Sequence, residues 1–343
     1  MSDDVYENNV YSLKEKMWHS KGTVGLINEC AKDVYGRMKP VEFFQYPFVA
    51  NIDGKEFPSK LYGIFRKEGE KVIEIGECKG RYRIAQPANY VEAFDSYCGK
   101  PVETMGFLGS SKADKLFITW VLPQIDVYGN LINMFGFITM GFDGKYGEHL
   151  YVTSDRIVCR NTFNFGIRDA IATQNHGYGI NGNNGAIYSG KHTRDDHVER
   201  FGYWMRYIDQ DAEKTVELMK NMFCKMEEKP ITIDEAFGLF SNVFPYPNDK
   251  SIFCPPELVN EKKEDYNTKV LKADEDRDLA MDLFKGAGIE ITNTVFGAFN
   301  CITEMQNHHI DSRKNDGTES ILIGNRQVVM SRAFTLMSEY AIK

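Results

Sequence analysis

The segment from Leu116 to Val152 reads LFITWVLPQIDVYGNLINMFGFITMGFDGKYGEHLYV. Its first run, Leu116–Leu122, is rich in the aromatic and β-branched side chains that favour strands, and Pro123 is expected to end that strand. Tyr128-Gly-Asn130, Asp143-Gly144 and, earlier in the chain, Asp53-Gly54 are turn sequences of the kind that join antiparallel strands. The segment therefore predicts an antiparallel sheet.

Helices are predicted on both sides of this block. Pro87 suits the first position of a helix, and Val91 and Phe94 follow at the three- and four-residue spacing of one helix face. After the sheet, Thr153 or Ser154 can cap a helix that runs from Arg156 to about Ala172. The predicted fold class is α+β, with an antiparallel sheet flanked by helices in a helix-β-β-β-helix core.

Three regions are predicted along the chain. Residues 1–40 form an N-terminal arm and helix, residues 41–200 the α+β core, and residues 201–343 a mainly helical region. The helical region contains the capping-box sequence Thr232-Ile-Asp-Glu235 and an acidic segment, 227–278, whose net charge is −6.

Charge and cysteine spacing exclude some classes of function. The 343 residues carry a net charge of −8, which excludes a strongly basic nucleic-acid coat but not a local basic surface. The seven cysteines are at least twenty positions apart, so they predict reduced thiols of a cytosolic protein and no paired zinc ligands. The acidic N-terminus lacks an apolar core, and the stretch 134–142 is too short to span a bilayer. We therefore expect a cytoplasmic protein with no membrane contact.

Common catalytic motifs are missing from the sequence. There is no Walker motif, no HExxH and no GxSxG. Gly177-Tyr-Gly-Ile-Asn-Gly182 matches GxGxxG only in its letters, because no strand is predicted before it and no helix after it. His192 and His197 are five positions apart, which fits one helix face poorly. The sequence thus assigns no catalytic residue, no metal ligand and no cofactor.

Basic residues are the more informative feature. They fall on a predicted strand, on the helix after the sheet and beside His192: Lys79, Arg81, Arg83, Arg156, Arg160, Arg168, Lys191 and Arg194. A cationic strand next to a cationic helix would suit a phosphate backbone, with Tyr82 available to stack on bases. The alternative is that these charges form ordinary surface ion pairs with nearby aspartates.

Several motifs occur in the order known from one family. The stretch Thr153–Thr162 contains Arg156, Cys159 and Asn161 at the spacing of that family's main signature. The other motifs are Trp18-His19-x-x-Gly22, Tyr82–Pro87, Glu103–Gly106, Asp143-Gly144, Lys191-His192-Thr193, and Asn300–Glu304 followed by His308. Together they resemble the phage and plasmid proteins called domain of unknown function 932, over about residues 18–335. Lys191, Met305 and the glycine-rich loop 174–185 depart from that pattern.

The resemblance implies a phage or mobile-element protein. Its order of elements is also similar to the core of the Rad fifty-two-like single-strand annealing proteins, which form rings and pair complementary DNA strands without ATP. We therefore expect a DNA-binding recombination protein that anneals single strands as a homo-oligomer, with the basic residues above contacting the backbone. A phage-encoded protein would work in the host cytoplasm.

Two alternatives stay open. The first is a metal-dependent enzyme acting on nucleic acid, with Glu103, Asp143, His192, Glu304 and His308 as candidate ligands. The second is a non-enzymatic interaction protein, such as a host-defence antagonist or a virion component. Asn161 and Thr303 fit a functional role or the satisfaction of buried backbone groups.

Overall fold

The computed structural model describes residues 5–12, 23–24, 28–108, 112–153, 164–165, 188–193, 195–210, 212–248, 259–287, 292–306 and 325–343. It confirms the α+β class, with antiparallel sheets and a helical C-terminal region. The chain divides into two compact units, one formed by Met1–Met219 and Asp311–Gln327, the other by Lys220–Ile310 and Val328–Lys343.

The main sheet of the first unit is built around the predicted meander. Its strands are β1 (Val5–Ser12), β2 (Thr23–Val24), β6 (Thr104–Leu108), β7 (Lys115–Val127), β8 (Asn130–Gly141), β9 (Glu148–Thr153), β10 (Asn164–Phe165) and β11 (Tyr188–Gly190). They are ordered β10-β9-β8-β7-β6-β1-β2, and β11 also pairs with β9. Sequence neighbours β6 to β9 pair antiparallel, as the turn sequences predict.

Strand β7 continues through Pro123, so the prediction that Pro123 ends it is wrong. The pairing with β8 shifts register between Leu122 and Ile125. At such an irregularity the ladder does not need the N–H group that proline lacks, and the strand can go on.

A second sheet has three strands, β3 (Glu42–Ile52), β4 (Lys55–Glu68) and β5 (Lys71–Lys79), paired antiparallel in chain order. The predicted turn Asp53-Gly54 joins β3 and β4, and both of its residues have positive φ, 51° and 77°. The phenyl rings of Phe43 and Phe142 stack with centroids 4.1 Å apart, which joins this sheet to the end of β8.

The described residues of the first unit also form the helices α1 (Ala31–Arg37), α2 (Pro87–Tyr97) and α3 (His197–Gln210). Helix α2 begins at Pro87 as predicted, and Asn89 Oδ1 accepts a hydrogen bond from the backbone N–H of Gln86 at 2.8 Å. It packs against α1 and α3, and its Phe94 meets Trp120 of the sheet edge-to-face at 5.5 Å. Helix α1 begins at Ala31, within the region 1–40 that was predicted to hold an arm and a helix. The predicted helix from Arg156 lies outside the described residues.

The second unit is helical. It contains α5 (Ile233–Val243), α6 (Val259–Asp282) and α7 (Val295–Glu304), while α4 (Ala212–Glu228) and α8 (Asn325–Ile342) each have residues in both units. The capping box predicted at Thr232 opens α5. A break follows α6, where Leu283–Ala287 forms one π-helical turn and Gly286 has a φ of 122°. Phe223, Phe299 and Phe334 meet in the core. Of the described helices, none has the length and apolar character needed for a membrane span.

Candidate functional site

Three buried polar side chains come together in the first unit: the carboxylate of Glu148 and the imidazoles of His192 and His197. One ligand atom from each lies within 4.8 Å of the other two. Their exposed fractions are 0%, 2% and 5%, so the cluster is inside the protein. We call these three residues the Glu-His-His cluster.

Strand pairing explains why residues so far apart in sequence meet. Glu148 begins β9 and pairs with Gly190, the last residue of β11. His192 follows two residues later in a turn, and His197 is the first residue of α3. His192 and His197 therefore do not lie on one helix, and the spacing expected of one helix face does not apply to them.

Hydrogen bonds satisfy only one side of the cluster. The Tyr90 hydroxyl donates to Glu148 Oε1 at 2.7 Å, and His197 Nδ1 lies 2.5 Å from the same oxygen. Glu148 Oε2 and both ring nitrogens of His192 have no hydrogen-bond partner among the residues that the structure describes. Buried polar atoms without partners are uncommon and call for an explanation.

Aromatic rings hold His192 in place. Its imidazole stacks on the ring of Tyr82, with centroids 5.2 Å apart and planes 5° from parallel, and lies 4.7 Å from the His197 ring. Burial, together with the neighbouring His197 and His149, lowers the pKa of His192 to about 3. The His192 ring is therefore neutral at pH 7, which is the protonation state that can donate a nitrogen lone pair.

A groove of about 630 Å³ reaches the cluster at His197. It lies between α2 and the start of α3, and its charged lining residues are Arg83, Glu92, Asp195, Asp196 and Glu199. Four of these five side chains are acidic, and Arg83 Nε donates to Asp195 at 2.8 Å. The mouth of the groove therefore favours cations over phosphate groups.

The structure describes four of the eight basic residues that were predicted to bind DNA. Lys79 is the last residue of β5, so Arg81 and Arg83 lie beyond the strand, which corrects the prediction that all three share it. These three side chains are exposed. Tyr82 between them is buried and stacks on His192, so its ring is not available to stack on bases, contrary to the prediction. Lys191 is also exposed, and the backbone carbonyl of its neighbour His192 accepts a hydrogen bond from the backbone N–H of Arg83 at 2.7 Å. Arg156, Arg160, Arg168 and Arg194 lie outside the described residues.

Of the carboxylates and histidines considered as metal ligands, His192 belongs to the cluster. Asp143 Oδ1 instead accepts from the backbone N–H groups of Lys145 and Tyr146, so it shapes the β8–β9 turn. Glu103 is buried just before β6, Glu304 belongs to the other compact unit, and His308 and Asn161 lie outside the described residues. Thr303 donates to the carbonyl of Asn300 within its own helix, which fits a structural role.

Sequence reasoning missed Glu148 and His197 as site residues. The available signal was that both are possible ligand residues near the ends of predicted elements. Local patterns cannot predict the pairing of β9 with β11, which brings the segments that hold them together. The comparisons add no assignment: no protein-family model, no curated protein and no solved structure matched the chain.

Proposed function

We propose that this protein binds single-stranded DNA and anneals complementary strands without ATP, acting as a homo-oligomer. The observation that carries the proposal is the exposed basic surface formed by Lys79, Arg81 and Lys191. The neighbouring Arg83 is also exposed, but it forms an ion pair with Asp195. The Arg83–His192 backbone hydrogen bond brings the two segments that hold these residues side by side. Closely spaced exposed cations are what a phosphate backbone requires.

The order of elements supports the annealing part of the proposal. Helix α2 is followed by the consecutive antiparallel strands β6, β7, β8 and β9, which is the order that resembles the annealing core. Likeness of topology alone does not establish a function, so the annealing activity needs a direct test.

Self-association is supported by the outer part of the β3–β4 hairpin. Its side chains are exposed from Tyr46 to Leu61, and six of them are large and apolar: Tyr46, Phe48, Val49, Ile52, Phe57 and Leu61. An accumulation of exposed large apolar side chains on one hairpin is typical of a protein–protein interface. A second copy of the chain is the partner that an annealing oligomer requires.

The test measures the binding of a labelled single strand by fluorescence anisotropy at two salt concentrations. Annealing of complementary labelled strands without ATP and mass photometry use the same preparation. We expect binding that weakens steeply with salt, because each phosphate contact on a single strand adds about 0.7 to the salt slope. We also expect the protein to accelerate annealing and to form a large oligomer.

Two variants localise the surface. The double variant Arg81→Ala/Lys191→Ala removes two exposed cations and should weaken binding and reduce the salt slope by about 1.4. Lys263→Ala, on the exposed side of α6 in the other unit, is the matched control and should bind like the unmodified protein. Absence of binding at low salt would overturn the proposal. Binding without accelerated annealing would overturn its annealing part.

A further inference from the structure

We propose that the Glu-His-His cluster binds a divalent transition-metal ion, with Zn²⁺ as the expected ion. This inference is independent of DNA binding, because it rests on the buried side chains of Glu148, His192 and His197 alone. Two imidazole nitrogens and one carboxylate oxygen form a donor set that suits zinc and iron, whereas Mg²⁺ and Ca²⁺ prefer sites made of oxygen atoms.

The unpartnered atoms of the cluster point to a missing ligand. Glu148 Oε2 and both ring nitrogens of His192 are buried and have no hydrogen-bond partner among the described residues. A water molecule could satisfy some of these atoms, but it could not balance the carboxylate. Glu148 has no exposed surface, and its contact with His197 Nδ1 is through Oε1 and leaves Oε2 without a partner among the described residues. A divalent ion would supply a positive charge at that buried oxygen.

Distances within the cluster permit binding after a small adjustment. Bonds of about 2.1 Å to zinc place two ligand atoms at most about 4.2 Å apart, while the cluster atoms lie within 4.8 Å of one another. The side chains therefore have to draw together slightly. His192 can move without breaking a side-chain hydrogen bond to any described residue, because it makes none.

The surroundings of the cluster supply the other parts of a metal site. Tyr90 donates to Glu148 Oε1, and such outer contacts orient metal ligands and tune their affinity. The ring of Tyr82 fixes the plane of His192. The acidic groove that ends at His197 offers an entry path that attracts cations. Three protein ligands leave at least one coordination position for water or another ligand.

The first experiment uses the full chain, stripped with a chelator and then titrated with Zn²⁺ or Co²⁺. Elemental analysis after removal of unbound metal should find one ion per chain. Co²⁺ should give the intense visible absorption of a low-symmetry, four- or five-coordinate site, and Zn²⁺ should displace it. This readout uses the unmodified sequence, so it does not depend on whether any variant folds.

The second experiment tests the ligands. Glu148→Gln and His192→Ala should lose stoichiometric metal, whereas Glu103→Gln, which changes another buried glutamate outside the cluster, should retain it. Tyr90→Phe keeps the ring and removes the hydroxyl, so the dissociation constant should rise about 10- to 100-fold. Circular dichroism on each variant confirms that the fold is retained.

Two results would overturn the proposal. One is the absence of stoichiometric Zn²⁺ and of a Co²⁺ spectrum in the unmodified protein. The other is equal metal binding by the unmodified protein and by folded Glu148→Gln and His192→Ala, because the metal would then bind elsewhere. Loss of DNA binding in the Arg81→Ala/Lys191→Ala variant with metal content unchanged would separate the two proposals.

Discussion

Gly136→Ala tests whether the main sheet depends on a single close contact. Trp120 on β7 is directly opposite Gly136 on β8, and the indole lies over the glycine. A Cβ atom at position 136 would lie 2.1 Å from Cε2 and Cζ2 of Trp120. Ordinary carbon–carbon contacts are about 3.5–4.0 Å, so the added methyl group lacks roughly 1.4 Å of space.

The indole has little room to move away. Trp120 has no exposed surface, and Phe94 of α2 packs against it edge-to-face. Overpacking a buried site costs about 1–3 kcal/mol, and the depth of this overlap argues for about 2–3 kcal/mol. For a unit of roughly 200 residues, that corresponds to a melting temperature lowered by about 4–12 °C.

The assay is thermal and urea denaturation followed by near-ultraviolet circular dichroism. Gly36→Ala is the matched control, because its new Cβ would meet nothing within 4 Å and it should change stability little. Trp120→Phe combined with Gly136→Ala should recover part of the loss by shortening the ring. An unfolding free energy for Gly136→Ala within about 0.5 kcal/mol of the unmodified protein would refute the reasoning.

Three further predictions concern other parts of the chain. Phe142→Ala should lower the free energy of unfolding by about 3–5 kcal/mol in urea denaturation, because it removes a fully buried ring that stacks on Phe43. Thr232→Ala should cost about 1 kcal/mol, measured the same way, by removing the side-chain cap of α5. In that capping box, hydrogen bonds from the backbone N–H of Thr232 and, to a smaller extent, from the Tyr340 hydroxyl lower the pKa of the Glu235 carboxyl. The stabilisation that Glu235 contributes should therefore be present at neutral pH and lost as the pH falls through the acidic range. Burial raises the pKa of the Cys301 thiol to about 12, so peptide mapping after alkylation should find Cys301 unmodified in the folded protein and modified in urea.

Local sequence was enough to predict the elements around the site. The turns at Asp53-Gly54 and Asp143-Gly144, the helix start at Pro87 and the cap at Thr232 were all predicted, because each depends on residues within a few positions of one another. The same local rules failed at Pro123, where the pairing partner β8, and not the proline, decides whether β7 continues.

The sequence by itself therefore determined the α+β class, the antiparallel meander and the exposed cations around Tyr82. Only the tertiary structure decided that Glu148, His192 and His197 share one buried cluster, because the pairing of β9 with β11 and the start of α3 bring them together across 49 positions. Such contacts are set by strand register and packing between distant segments, and hydrophobic periodicity within a short window carries no information about them.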